Sequence, residues 1–211
     1  MMRRVRGWTL IELIVVIAII LVLAGMVYAI GAYAVESSRQ AHCISNLRQI
    51  GIALKQYIDD YKQADWETEI GGLSEEAIRR MDRETSEQLV SRWGFPYSLR
   101  DLVRGGYLKD ARLLRCPSAS GPSAKHPVHY SYPRPIVVRD NVQGIPVEYN
   151  GLLSLKRRTL EYSIVVDDNH SKMQNDRLGP FIMLRMSGTI DRGYVSLSEL
   201  RSKRSTGGDQ Q

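Results

Sequence analysis

The chain has 211 residues, room for one domain or a small domain with an appendage at roughly 100–200 residues per domain, which excludes a large multidomain enzyme. Charged residues make up 25% and hydrophobic ones 43%, a balance that excludes both wholesale disorder and a polytopic membrane protein. Of the net charge of +6, three come from Arg3, Arg4 and Arg6, and the +3 beyond them is too mild to imply nucleic-acid binding without clustering on one face.

Apolar residues are concentrated between Leu10 and Val35. From Leu13 to Val35, 23 consecutive residues carry no formal charge, and as a helix at 1.5 Å per residue they would extend about 34 Å, enough to cross a bilayer. The three arginines precede this run, and the positive-inside rule keeps that end cytoplasmic while the rest is exported. An ordinary secretory signal has a shorter apolar core followed by small residues. Ala32-Tyr33-Ala34 is the nearest approach, but it stands at the far end of a longer run, so that route ranks second.

The segment Gly7-Trp8-Thr9-Leu10-Ile11-Glu12, followed by Leu-Ile-Val-Val-Ile-Ala-Ile-Ile, resembles the type III signal of type IV pilins and type II secretion pseudopilins. The resemblance implies cleavage after Gly7 by a prepilin peptidase and N-methylation of Trp8, with Thr9, Leu10 and Ile11 completing the signal. Glu12 then falls at the glutamate position that sets the stagger of neighbouring subunits. Trp8 departs from the family's usual Phe but keeps a large aromatic there. On physical grounds, a carboxylate at the edge of a hydrocarbon span costs roughly 2.5–3.5 kcal/mol and calls for a partner. Cleavage would supply an amine about one turn away; the alternative is that Glu12 reaches into the headgroups.

No proline occurs before Pro96, so the helix is free to continue outward. Ile44, Leu47, Ile50, Leu54, Tyr57 or Ile58, and Tyr61 recur at steps of three and four, one apolar stripe on a helix. From Trp8 to Lys62 the rod would be about 82 Å long. Gly25, Gly31 and Gly51 inside it are candidate bends or sites of close helix packing. The run Ser45–Leu54 with Tyr57 is similar to the post-membrane helix of a large bacterial branch of pilin-like proteins. Leu99-Arg-Asp-Leu-Val-Arg-Gly-Gly-Tyr-Leu-Lys-Asp and Leu114-Arg-Cys-Pro-Ser resemble a later block of that branch. The branch also commonly carries a His followed by an Asp-Gly turn; here His170 is present, and Ser187-Gly188-Thr189 stands where the acidic turn would be.

Cys43 and Cys116 are the only cysteines. Outside the cytoplasm such a pair is free to oxidise, and a bridge across 73 residues would remove roughly 4 kcal/mol of unfolded-chain entropy in the loop-closure model. They are the candidate disulfide, with two buried thiols as the alternative. Leu73-Ser74-Glu75-Glu76-Ala77 reads as a cap and the first turn of a surface helix. From Phe95 on, Pro and Gly punctuate short β-branched runs. Strands are expected at Ile136–Arg139, Pro146–Tyr149, Tyr162–Val166, Phe181–Met186 and Gly193–Leu197.

The one compact set of ionisable groups is Asp167-Asp168-Asn169-His170, with Asn175-Asp176 behind. Asp167, Asp168 and His170 form the candidate metal site, although Asp and Asn after a strand also serve as ordinary turn residues. No cofactor is otherwise expected, and Ca²⁺ is the ion implied by pseudopilins that bind it in this part of the head. His126 and His129 flank a proline and need no function. Lys156-Arg157-Arg158 and Arg201–Arg204 read as a solvated basic loop and a basic end. No phosphate loop, nucleophile elbow or Cys-x-x-Cys motif appears, which points away from an enzyme.

The expected fold is α+β, a long N-terminal helix against a small, mostly antiparallel sheet. The organisation expected is a leader at 1–7, a membrane and filament-core helix at 8–35, its amphipathic continuation at 36–62, a charged, partly helical insertion at 63–93, a β-rich head at 94–204 and a disordered tail at 205–211. The resemblance implies a structural subunit of a pilus or secretion pseudopilus, held in the inner membrane with its N-terminus cytoplasmic and its head outside. Its partners would be the prepilin peptidase, sibling pilins, and an inner-membrane platform with its ATPase. Two alternatives stand beside it: a membrane-tethered exported enzyme or ligand-binding protein with its site at Asp167–His170, and a minor pilin that binds DNA through Lys156, Arg157 and Arg158.

Overall fold

Helix α1 (Leu10–Tyr61) runs unbroken for 52 residues, because no proline removes a backbone donor from it. The computed structural model describes residues 9–119, 125–142, 145–170, 172–174 and 177–196. The leader 1–7, Trp8, Asn175, Asp176, Arg201–Arg204 and the tail 205–211 lie outside the described residues. The chain divides into two units, Met1–Gln40 and Ala41–Gln211.

The first unit is described by the inner part of α1. Every side chain from Leu10 to Tyr28 is exposed, and an 18-residue window there reaches a mean hydropathy of 3.1. By length and composition this is a helix able to cross a membrane. Such an uncovered apolar surface is unfavourable in water by about 25 cal/mol per Å², so lipid or other helices are its natural surroundings.

The second unit begins on the outer part of α1, where Cys43, Leu47, Ile50, Ala53, Leu54 and Ile58 are buried. The expected stripe is therefore present, shifted to include Cys43 and Ala53, while Ile44 and Tyr57 are only half-buried. Tyr61 is exposed and stacks on Tyr57 at 4.4 Å between ring centroids. Gly51 lets another segment approach this face: a Cβ there would sit 3.1 Å from a methyl of Leu184.

Three short helices follow, α2 (Trp66–Gly72), α3 (Glu75–Arg80) and α4 (Arg83–Arg92). Asp65, Ser74 and Asp82 cap them, accepting from the backbone N–H of Thr68, Ala77 and Thr85 at 3.0, 3.1 and 2.7 Å. Each cap satisfies an otherwise orphaned N–H. In sequence this stretch reads as a charged insertion with one surface helix. The folded chain instead sends Trp66 and Ile70 from α2, Ile78 from α3 and Val90 from α4 into the core, with Trp93 fully buried beyond them. These apolar residues come singly among charges, so none of the short windows shows a stripe; packing collects them. Gly94 closes α4 at φ 82°, and a Cβ there would lie 2.6 Å from the Ile58 carbonyl oxygen. Helix α5 (Leu99–Arg104) then adds buried Leu99 and Leu102, and a 3₁₀ turn at Ala111–Leu114 leads to Cys116.

The strands β1 (Val137–Val142) and β2 (Ile145–Asn150) pair antiparallel as a two-stranded sheet. Helix α6 (Gly151–Arg158) follows, its N-cap Asn150 accepting from Leu153 N–H at 2.9 Å. A second sheet joins β3 (Ser163–Asp167), β4 (Lys172–Gln174), β5 (Arg177–Arg185) and β6 (Ile190–Ser196), each antiparallel to β5. Ser131 bridges to Val166, tying the preceding loop to β3. The fold is α+β, as expected. The expected strands correspond to β1, β2, β3, β5 and β6 with shifted ends; Leu197, the last residue of the final run, lies outside the described residues. Strand β4 has no counterpart because Lys-Met-Gln carries too short an alternation to read.

Candidate functional site

The N-terminal end of α1 is organised by its own side chains. Thr9 is the residue before the helix, and its backbone N–H and its hydroxyl both donate to Glu12 Oε2, at 2.8 and 2.9 Å. The Glu12 N–H points back to Thr9 Oγ1 at 3.4 Å. This is a capping box, in which a Thr and a Glu three residues on satisfy each other's backbone donors. The Thr-x-x-Glu spacing just before an apolar run is its sequence signature, and the sequence reading did not use it. Leu10 and Ile11 between them are 75% and 70% exposed, so the signal residues present an accessible, ordered start to the helix.

Residues 2–28 match the family model of the prokaryotic N-terminal methylation motif. The chain carries the prepilin signal of type IV pilins and pseudopilins. No curated protein and no solved structure matches it. The signal marks a type IV pilin-like precursor and implies processing by a prepilin peptidase and assembly with other pilins. Together with the exposed apolar helix it fits a membrane-anchored protein. Gly7 and Trp8, the residues flanking the implied cut, lie outside the described residues; Thr9 to Glu12 form the cap.

The other expected site gathers differently from its sequence neighbours. Asp167 at the end of β3 and His170 in the following turn are both buried, with His170 Nε2 3.4 Å from Asp167 Oδ2. Asp168 faces solvent and lies outside the group. In its place stand Cys43 from α1 and Cys116, both free thiols. Their sulfurs are 2.7 Å apart, and Cys116 Sγ is 3.3 Å from His170 Nε2. Asn169 fixes the carboxylate by donating its N–H and its side-chain amide to Asp167 Oδ1 at 3.0 and 2.7 Å. The contact with Cys43 and burial push the Cys116 thiol well up from its ordinary value. Burial pushes the Asp167 carboxyl up, but the hydrogen bonds from His170 and Asn169 outweigh it and hold the group below the usual range.

His129, which sequence reading left without a role, supports this group. Its Nδ1 accepts from the Cys116 backbone N–H at 3.0 Å, and its carbonyl accepts from the Asn169 amide at 2.8 Å. No local motif announces either contact. Ca²⁺ fits the set poorly, since it takes six to eight oxygen ligands and the cluster offers one carboxylate beside two thiols and an imidazole.

The basic run Lys156-Arg157-Arg158 is not the solvated loop its composition indicates. It closes α6, where Lys156 Nζ donates to the carbonyls of Ile70 and Gly71 at 3.0 and 3.1 Å and Arg157 grips Glu75 at 2.5 and 3.0 Å. Two of its three charges are therefore engaged in docking α6 on α2 and α3; Arg158 is exposed.

Proposed function

We propose that this protein is a structural subunit of a pilus or type II secretion pseudopilus. It is stored as a single-span precursor in the inner membrane with Arg3, Arg4 and Arg6 on the cytoplasmic side. The prepilin peptidase cuts between Gly7 and Trp8, Trp8 is N-methylated, and the apolar face of α1 then passes from lipid into the core of a filament. The observation that carries this reading is the prepilin motif lying over an exposed apolar helix that begins at a Thr9–Glu12 cap. Burial of Asp167 and His170 away from solvent supports a structural head over a tethered enzyme acting at that loop, and the engagement of Lys156 and Arg157 supports it over a DNA-binding subunit. An inner-membrane platform and its ATPase would supply the force of assembly.

The test is expression with and without a prepilin peptidase, followed by mass measurement of the N-terminus. Loss of residues 1–7 and a methyl increment on Trp8, both only when the enzyme is present, are the expected results. An uncut precursor in cells that process their own pilins would overturn the reading.

A further inference from the structure

One donor atom from each of Cys43, Cys116, Asp167 and His170 lies within 4.8 Å of every other, and all four residues are at most 3% exposed. We propose that, with both thiols reduced, these four residues form a closed structural site for one zinc-class divalent cation, clamping α1 to the end of β3 and to the segment that follows the 3₁₀ turn.

The donor set is complete for that chemistry. Zinc is held tetrahedrally by Cys sulfur, His nitrogen and Asp oxygen at roughly 2.0–2.3 Å, which puts neighbouring donors about 3.2–3.8 Å apart. The Cys116 Sγ to His170 Nε2 distance of 3.3 Å and the His170 Nε2 to Asp167 Oδ2 distance of 3.4 Å already lie in that range. The sulfurs, at 2.7 Å, must separate by about 1 Å to admit the ion. Binding releases the two thiol protons, and the thiolate pair with an imidazole selects a zinc-class ion over Mg²⁺ or Ca²⁺.

The carboxylate supplies an independent observation. Asp167 Oδ1 takes both short bonds from Asn169, whereas Oδ2 is buried and makes only a long contact, 3.4 Å, with the ring nitrogen of His170. A buried anion so placed is costly unless a cation neutralises it. A cystine would account for two of the four groups and leave this carboxylate oxygen as it is; a metal ion accounts for all four. The Cys116 backbone, held by His129 Nδ1, and the Asn169 clamp are the kind of outer contacts that orient metal ligands. The inference holds whether or not the chain assembles into a filament.

The test uses the full chain in detergent, purified with a phosphine reductant, stripped with a chelator and titrated with cobalt(II) alone. The expected result is one equivalent bound, with a thiolate-to-cobalt charge-transfer band and the intense visible bands of a tetrahedral ion, all displaced by one equivalent of zinc. Cys43→Ser should weaken the charge-transfer band, and Asp167→Asn and His170→Ala should each lower the affinity at least about tenfold. Asp168→Asn, one residue away and exposed, should bind as the parent does, and circular dichroism confirms that each variant is folded. Absence of the bands in the reduced, folded parent would overturn the proposal. So would equal affinity in the folded Asp167→Asn variant, or recovery from cells under alkylating conditions of a metal-free chain with Cys43 and Cys116 joined.

Discussion

Glu12 has one duty that the structure shows and a second that is proposed for it, and its position alone would not separate them. Its carboxylate closes the first turn of α1 onto Thr9, and the prepilin signal makes it the partner proposed for the freed amine of a neighbouring subunit. Replacing it with Ala removes both, the reciprocal half of the capping box as well as the charge. Gln keeps the capping box and loses only the charge. Glu12→Gln is therefore expected to insert and be cleaved like the parent yet fail to enter filaments, measured as the amount recovered in sheared filaments. Full incorporation of the Gln variant would remove the charge pairing from the mechanism and leave the cap as the sole role of the residue. Of this pair of duties, the first was available in the Thr-x-x-Glu spacing. The buried group around Cys116 was available only in part. Asp167 and His170 are three residues apart and readable as candidates, but Cys43 and Cys116 join them through folding over distances that no spacing rule covers.

Among the elements, the end of α1 and the end of α4 meet where only glycine fits. Gly94 has φ 82°, and an added Cβ would stand 2.6 Å from the Ile58 carbonyl oxygen and 2.7 Å from the Lys62 backbone nitrogen. Those neighbours are backbone, and the Gln63 N–H to Arg92 carbonyl bond at 2.8 Å holds the same junction, so neither side yields cheaply. Gly106 has a similar φ of 78° but nothing within 4 Å of an added Cβ. Gly106→Ala should cost about 1–2 kcal/mol for the left-handed backbone alone, and Gly94→Ala should cost more. Thermal unfolding of the two variants measures the difference, and equal losses would show that the close approach adds nothing. The helices between these ends show why the segment 63–93 was hard to read: its caps were legible at Ser74, but the inward residues Trp66, Ile70, Ile78 and Val90 are too sparse to form a stripe.

At the scale of the whole molecule, the second unit is stitched by carboxylates whose ionised forms the fold prefers. Arg92 and then Trp93 donate to Glu69 and hold its carboxyl below the ordinary value, Arg157 does the same for Glu75, and Thr85 for Asp82. A carboxyl depressed in the folded state contributes stability that is present above its unfolded value and is lost as pH falls through the folded one. Acidification from neutral pH to about pH 3 is thus expected to lower the unfolding midpoint, and Glu69→Gln should flatten that dependence. Trp93 gives the optical readout, since its indole N–H donates to Glu69 at 2.6 Å. An unchanged slope in the variant would show that Glu69 is not among the groups responsible.

What residue order settled alone was the prepilin signal, a helix able to span a membrane, the continuation of that helix, and an α+β fold. Each depends on neighbours in the chain: a leader's charges, the length of an apolar run, the three-and-four step of a stripe, the alternation of a strand. What folding alone decided was the inward turn of the charged helices, the engagement of Lys156 and Arg157 with α2 and α3, and the meeting of Cys43 and Cys116 with Asp167 and His170. Those contacts join residues far apart in the chain, and their energies come from burial and paired polar groups that exist only once the segments are packed together.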